Sequence, residues 1–132
     1  MTRYLLGVNG KECDVAVMEG VMGYYDGVGG NTSKASAYDL ADTTDTPVVL
    51  IVNSKGMSVS LAAYIKGFLE FQENSHIKGV VFNQMSPMLY PRMKALVEET
   101  LPVRVLGYVP KVEDCTIESR HLGLCFLRKS KD

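Results

Sequence analysis

The chain of 132 residues is 46% hydrophobic and 22% charged, with a formal net charge of -1, the profile of one globular domain or most of one. A balanced charge, with no basic stripe of interleaved aromatics, argues against nucleic-acid binding. The apolar runs are strand-sized, far short of a membrane span, and no signal-peptide pattern opens the sequence, so a cytoplasmic protein without membrane contact is expected.

In chain order, Met1 to Leu6 read as the end of a helix leading into a Gly7 to Asp14 loop, so the sequence reads as starting partway through an α/β domain. Asp14 to Glu19 is a short apolar run of the kind that makes a buried strand, and a glycine-rich stretch follows it. Thr32 or Ser33 is placed to cap a helix through Asp39, Leu40 and Ala41. Pro47 to Asn53 is a second strand, after which Ser58 caps a helix reaching about Gln72. Ile77 to Asn83 is a third strand, Ser86 and Pro87 open a helix to about Thr100, and Val103 to Pro110 is a fourth strand.

All four strands are apolar nearly throughout, the pattern of strands covered on both faces in a parallel sheet. Their alternation with helices predicts an α/β fold with a mostly parallel, doubly wound sheet and right-handed crossovers. Leu61, Ala62, Ile65, Phe68, Leu69 and Phe71 form one apolar helical stripe, while Lys66, Glu70 and Glu73 face water. Gly56, Gly79 and Pro102 mark boundaries between elements. Residues 1–127 make up the domain and Arg128 to Asp132 a charged tail.

Three scattered cysteines, Cys13, Cys115 and Cys125, suggest neither a disulfide framework nor a thiolate site. His76 and His121 have no second ligand at metal spacing, so zinc is not expected.

The chemistry concentrates in Glu19-Gly20-Val21-Met22-Gly23-Tyr24-Tyr25-Asp26-Gly27. In open α/β sheets ligands bind beyond the carboxyl ends of the strands, which is where Glu19 is expected. It reads either as a Mg²⁺ ligand, since hard oxygen donors hold that ion, or as a glutamate capping the next turn. Asp26 reads as an Asp-Gly turn residue or as a carboxylate that positions substrate. Ser33, at the end of the glycine-rich loop, is a capping residue with a ligand role open to it. Asn83 ends its strand with an amide able to read a purine edge, or to form a turn; Asn53 reads as turn chemistry. No Gly-x-x-x-x-Gly-Lys-Ser/Thr occurs, the only Gly-Lys pair being Gly10-Lys11 followed by Glu12.

Taken together, Asp14 to Gly27, Pro47 to Leu50, Gly79 to Asn83, Leu106 to Pro110 and the segment Glu118 to Leu124 resemble the cobyrinic acid a,c-diamide synthase family. The first and last of these are the most specific, and the strand segments are shared with the wider dethiobiotin-synthetase-like P-loop ligases. The resemblance implies a P-loop NTPase-like fold, here without its first P-loop β-α unit. It implies an enzyme of cobalamin biosynthesis that uses ATP and Mg²⁺ to amidate the a and c carboxylates of cobyrinic acid, or of a related tetrapyrrole. Ammonia comes from glutamine, and an acyl phosphate is the intermediate.

On that basis Glu19 is the magnesium glutamate, Asp26 a catalytic carboxylate that positions substrate or acyl phosphate, and Asn83 the adenine reader. Ser33 is a candidate nucleotide contact, and Arg120 and His121 lie in a family segment that reads as a structural junction. The family's glutamine amidotransferase domain is not part of this match, and neither Cys115 nor Cys125 stands for its nucleophile. A chain of this extent is expected to be inactive alone and to form a homodimer through strand edges and apolar surface left open. The competing reading is a non-catalytic α/β binding or interaction module that keeps the fold without ATP chemistry.

Overall fold

The computed structural model describes residues 2–113, which fall into two units, residues 2–44 and Asp45–Glu113. The segment around Arg120 and His121, the charged tail, Cys115 and Cys125 lie outside the described residues.

The first unit holds α1 (Thr2–Asn9), a short 3-10 turn at Val28–Gly30 and α2 (Ala37–Thr44). Helix α1 runs three residues beyond the expected end at Leu6 and has no buried side chain. Between α1 and the 3-10 turn the backbone is irregular, so the strand expected over Asp14 to Glu19 does not form. Val15 is 76% and Val17 89% exposed. The composition is that of a strand, but a strand is held by a ladder to its neighbour, and this segment pairs with none among the described residues.

Helix α2 begins later than the sequence suggested, and Ser36 caps it rather than Thr32 or Ser33. Ser36 Oγ accepts the Asp39 N–H at 3.1 Å, and Asp39 Oδ2 accepts the Ala35 N–H at 2.8 Å. This reciprocal pair is a close variant of the capping box, in which an N-cap hydroxyl and a carboxylate three residues on each satisfy a free backbone donor. Ala35 takes φ 64°, an unusual conformation for a non-glycine residue, at the point where the chain turns into the helix. Replacing Ser36 by Ala is expected to cost about 1 kcal/mol, seen as faster hydrogen exchange of the first-turn amides of α2 with the Asp45–Glu113 amides unchanged.

The second unit is a three-stranded parallel sheet, β1 (Val48–Asn53), β2 (Ile77–Asn83) and β3 (Arg104–Val109), in the order β1-β2-β3. Helices α3 (Val59–Glu70) and α4 (Tyr90–Thr100) make the two crossovers. The α/β class with a parallel sheet and flanking helices is therefore what the structure shows. Helix α4 starts at Tyr90, after a turn in which the Ser86 carbonyl accepts the Leu89 and Tyr90 N–H groups, so Ser86 and Pro87 precede the helix proper.

Right-handed crossovers that step in one direction across a sheet put both helices on the same face. Leu50, Val52, Val80, Phe82 and Val105 are buried on that side, together with Leu61 and Ile65 of α3 and Met93 and Val97 of α4. The Phe82 and Tyr90 ring centroids lie 6.2 Å apart, and those of Tyr90 and Tyr108 4.3 Å, which fixes α4 against this face. Burying each such side chain contributes about 1.5–3 kcal/mol. Leu61 and Ile65 carry the expected α3 stripe, but Phe71 lies beyond the helix and is 67% exposed.

The opposite face differs from expectation. Val49 is 52%, Ile51 70% and Leu106 53% exposed, whereas the apolar runs predict strands covered on both sides. Both crossover helices are committed to the other face, so nothing in the β1 to β3 connections can reach it. Gly79 also has a different role from the boundary expected of it. It lies inside β2, where any Cβ would meet the Leu106 side chain at 2.7 Å, so the absence of a side chain lets Leu106 lie across the strand.

Candidate functional site

The residues that carry the candidate chemistry divide between the units. Glu19, Asp26 and Ser33 fall in the first, and Asn83 ends β2 in the second.

In the first unit the glycine-rich segment is pinned along the first turn of α2. A Cβ on Gly20 would lie 3.1 Å from that of Ala37, so the backbone next to Glu19 runs against the first residue of the helix. Four residues on from Gly20, the Tyr24 carbonyl accepts the Tyr38 N–H at 2.9 Å. Tyr24 is buried, and its ring centroid stands 4.8 Å from that of Tyr25 and 6.0 Å from that of Tyr38; the Tyr25 to Tyr38 separation is 5.3 Å. Edge and tilted contacts of this kind stabilise beyond simple burial. The three rings anchor the segment, and Glu19 and Asp26 flank the anchored part, both exposed.

Asp26 is further defined by Gly23. The Asp26 N–H donates to the Gly23 carbonyl at 2.9 Å, and the Asp26 carboxylate folds back over the Gly23 α-carbon, where a side chain would collide with it. Gly27 follows the same logic, because a Cβ there would strike the Thr32 and Lys34 carbonyls. The loop closes on itself through Val28 N–H to the Lys34 carbonyl at 3.0 Å, with Gly29 and Gly30 at φ 77° and 74°. Ser33 sits in this loop, and its carbonyl accepts the Ser36 N–H at 3.1 Å.

Burial raises the Tyr24 hydroxyl well above the ordinary tyrosine value of 10.0, with further contributions from Tyr25, Tyr38 and Asp42; Tyr25 and Tyr38 are raised as well, burial again being the first cause. A raised folded-state pKa favours the protonated form, so the contribution of the cluster is complete below pH 10 and is lost as the pH rises through the folded values. Alkaline titration followed by tyrosinate absorbance is expected to show part of the tyrosines ionising above pH 10, together with loss of the near-ultraviolet dichroism of the cluster. Simultaneous titration of all tyrosines at their ordinary value would contradict this.

In the second unit the carboxyl ends of the strands are tied together through Asn83. Its carbonyl accepts both the Ser54 N–H at 2.9 Å and the Ser54 Oγ–H at 2.7 Å, and its Oδ1 accepts the Gln84 N–H at 3.1 Å. Met85 N–H donates to the Val109 carbonyl at 3.1 Å, which brings the loop after β2 onto the end of β3. Gln84 takes φ 54° as the chain leaves the strand. Asn53, opposite Asn83 in the register, accepts the Lys55 N–H at 3.1 Å and so forms the turn the sequence indicated. Ser54 holds the β1 and β2 ends together without a local signal, since its hydroxyl is 29 residues from its acceptor.

Among the described residues no group of three or more His, Cys, Asp or Glu side chains gathers. A metal held here would be bound as magnesium commonly is, by one or two carboxylates together with phosphate oxygens and water. No helix among the described residues is long and apolar enough to cross a membrane.

A model of an AAA domain family matches residues 5–119. With the parallel α/β sheet, this defines the class: a P-loop NTPase-like domain. The chain is 37% identical over 125 residues to a cobyrinate a,c-diamide synthase of Priestia megaterium, a stretch that is 94% of this chain and 27% of the relative. It is 40% identical over 124 residues to the enzyme of that name from Saccharolobus solfataricus, 93% of this chain and 27% of the relative. For the one from Methanocaldococcus jannaschii the identity is 38% over 124 residues, 92% of this chain and 28% of the relative. The chain belongs to the cobyrinate a,c-diamide synthase family. It spans about a quarter of the length of these curated relatives. No solved structure gives a significant match.

Proposed function

We propose that this chain is part of an ATP-dependent amide ligase of cobalamin biosynthesis, acting on the a and c carboxylates of cobyrinic acid or a related tetrapyrrole. The observation that carries the reading is identity of 37–40% to cobyrinate a,c-diamide synthases across more than nine-tenths of the chain. The glycine-rich segment supports it, because its glycines admit a close backbone approach while leaving two carboxylates exposed on a pinned turn.

In this proposal the substrate carboxylate attacks the γ-phosphate of ATP, breaking its bond to the bridging oxygen so that ADP leaves. The resulting acyl phosphate is opened by ammonia, made from glutamine by an amidotransferase domain or partner, with phosphate leaving. Glu19 would hold magnesium, which supplies charge neutralisation on the phosphates when bound. Asp26, held over Gly23, orients the accepting carboxylate or the attacking ammonia. Asn83 reads the adenine edge through its amide and Ser33 contacts the nucleotide. A cytoplasmic setting suits the free, exposed thiol of Cys13. A homodimer belongs to the same proposal, supported by exposed Tyr4, Leu5 and Val8 on α1; a single monomeric boundary in sedimentation at micromolar concentration contradicts it.

The test is a chimera in which residues 5–119 of this chain replace the matched stretch of the Methanocaldococcus jannaschii relative. ATP-dependent, glutamine-dependent amidation of cobyrinic acid is expected. A folded chimera without it favours a module that keeps the fold without the chemistry.

A further inference from the structure

We infer that Ser54 is a positioning residue: by clamping the peptide unit between Asn83 and Gln84, it fixes which way the Asn83 amide faces a nucleotide base. This rests on the proposed reading of Asn83 as the adenine contact, and adds to it the group that sets the geometry of that contact.

The clamp begins with a buried hydroxyl. Ser54 is 3% exposed, directly follows β1, and gives both of its donors, N–H at 2.9 Å and Oγ–H at 2.7 Å, to the single Asn83 carbonyl. Joining the two strand ends takes only the N–H, so the hydroxyl is a second restraint on the same oxygen.

A peptide unit is planar, and the Asn83 C=O and the Gln84 N–H belong to one unit. Holding the oxygen therefore sets the direction of the Gln84 N–H, which donates to Asn83 Oδ1 at 3.1 Å. That bond decides the flip of the amide, because an N–H can donate to Oδ1 and not to Nδ2. Asn83 is half-buried at the carboxyl end of β2. With one Oδ1 lone pair engaged, its amide still offers the Nδ2 donors beside a second Oδ1 lone pair. Adenine presents the complement, the N7 acceptor beside the N6 amino group, whereas guanine presents two acceptors, N7 and O6.

The far side of the unit is held as well. Gln84 takes φ 54°, uncommon for a non-glycine residue, and Met85, 2% exposed, donates its N–H to the Val109 carbonyl at 3.1 Å. Such a conformation persists where the surrounding bonds over-determine it, and it recurs where a protein grips a ligand.

In the chain itself, without nucleotide, Ser54→Ala is expected to speed hydrogen exchange of the Gln84 amide about tenfold, the effect of losing one hydrogen bond, while the Val80 amide inside β2 keeps its rate. In the chimera, kcat/KM is measured with ATP and with purine riboside triphosphate, which lacks the 6-amino group. Asn83→Ala is expected to collapse the preference for ATP. Ser54→Ala should lower it about tenfold through KM, with kcat within about twofold, and the double substitution should add nothing to Asn83→Ala. General destabilisation would lower both triphosphates alike and leave the preference unmoved. Calorimetric binding of the two triphosphates gives the same comparison should the chimera not turn over, and Ser54→Cys, close in size with a weak donor, replaces Ser54→Ala should that variant not fold. The inference alone is overturned if Asn83→Ala lowers the preference and the Ser54 variant does not, or if Gln84 exchange is unchanged in that variant. If Asn83→Ala leaves the preference intact, the adenine reading fails and the inference fails with it.

Discussion

Replacing Glu19 by Gln in the chimera is expected to lower magnesium-dependent turnover at least a hundredfold, while the fold and the glutaminase half-reaction are retained. The substitution keeps the size of the side chain and removes only its charge, so packing is not at issue. Glu19 is exposed, and an exposed side chain away from structural features rarely moves stability by more than about 0.5 kcal/mol. A hundredfold loss corresponds to about 2.7 kcal/mol of transition-state stabilisation, within what removal of one metal-linked charge at a transferring phosphoryl group costs. Glu19→Asp, which keeps the charge on a shorter arm, should recover part of the rate as magnesium is raised. Turnover within threefold of the parent at low magnesium would remove Glu19 from the role and leave it as a turn residue.

The largest effect on stability is expected at Phe82. It is fully buried in the central strand, with α4 on one side through Tyr90 and with Leu61, Ile65, Val80 and Val97 equally buried. Phe82→Ala removes a large side chain from a site that cannot collapse around the loss and is expected to cost about 3–5 kcal/mol. Since domains are stable by only about 5–15 kcal/mol, the second unit would be close to unfolding at room temperature. Urea denaturation followed by far-ultraviolet dichroism measures this. Ile51→Ser, one strand away but 70% exposed, is the contrast; in the isolated chain its effect should stay below about 0.5 kcal/mol. Equal costs for the two would mean that the open face is covered and the layer assignment is wrong.

The runs that became β1, β2 and β3 were readable to within about a residue because each has a neighbour whose ladder satisfies its backbone. Asp14 to Glu19 has the same composition, yet composition states a preference and only a partner strand makes it a strand. The one-sided burial of the sheet could not be read from the strands themselves, since Val49 and Ile51 are as apolar as Leu50 and Val52. It follows from strand order, which sequence pattern does not reveal. Ser36 was missed because Thr32 and Ser33 offer the same hydroxyl chemistry nearby. What selects Ser36 is Asp39, three residues on, returning a bond to Ala35.

The candidate site was legible as chemistry and not as geometry. Glu19, Asp26 and the glycines stood out by residue type. The reasons for Gly23 and Gly27 emerged only from the fold, in which the Asp26 carboxylate lies over one and the Thr32 and Lys34 carbonyls crowd the other. The tyrosine cluster gave no periodic signal, because Tyr38 comes from the helix and Tyr24 and Tyr25 from the loop. The amide of Asn83 is visible in the sequence, whereas the role of its carbonyl in joining two strand ends through Ser54 belongs to the fold.

We propose that residues 5–119 carry the ATP-dependent half of a diamide synthase. The direct measurement is the stoichiometry of ATP hydrolysed to amides formed when the chimera is given cobyrinic acid, glutamine, ATP and magnesium, with the product identified by mass spectrometry. Two amidations per corrin, one ATP for each, and no ATP hydrolysis in excess of amide when ammonia is saturating are expected. A correctly folded chimera that hydrolyses glutamine but forms no amide, or forms it without ATP, would contradict it.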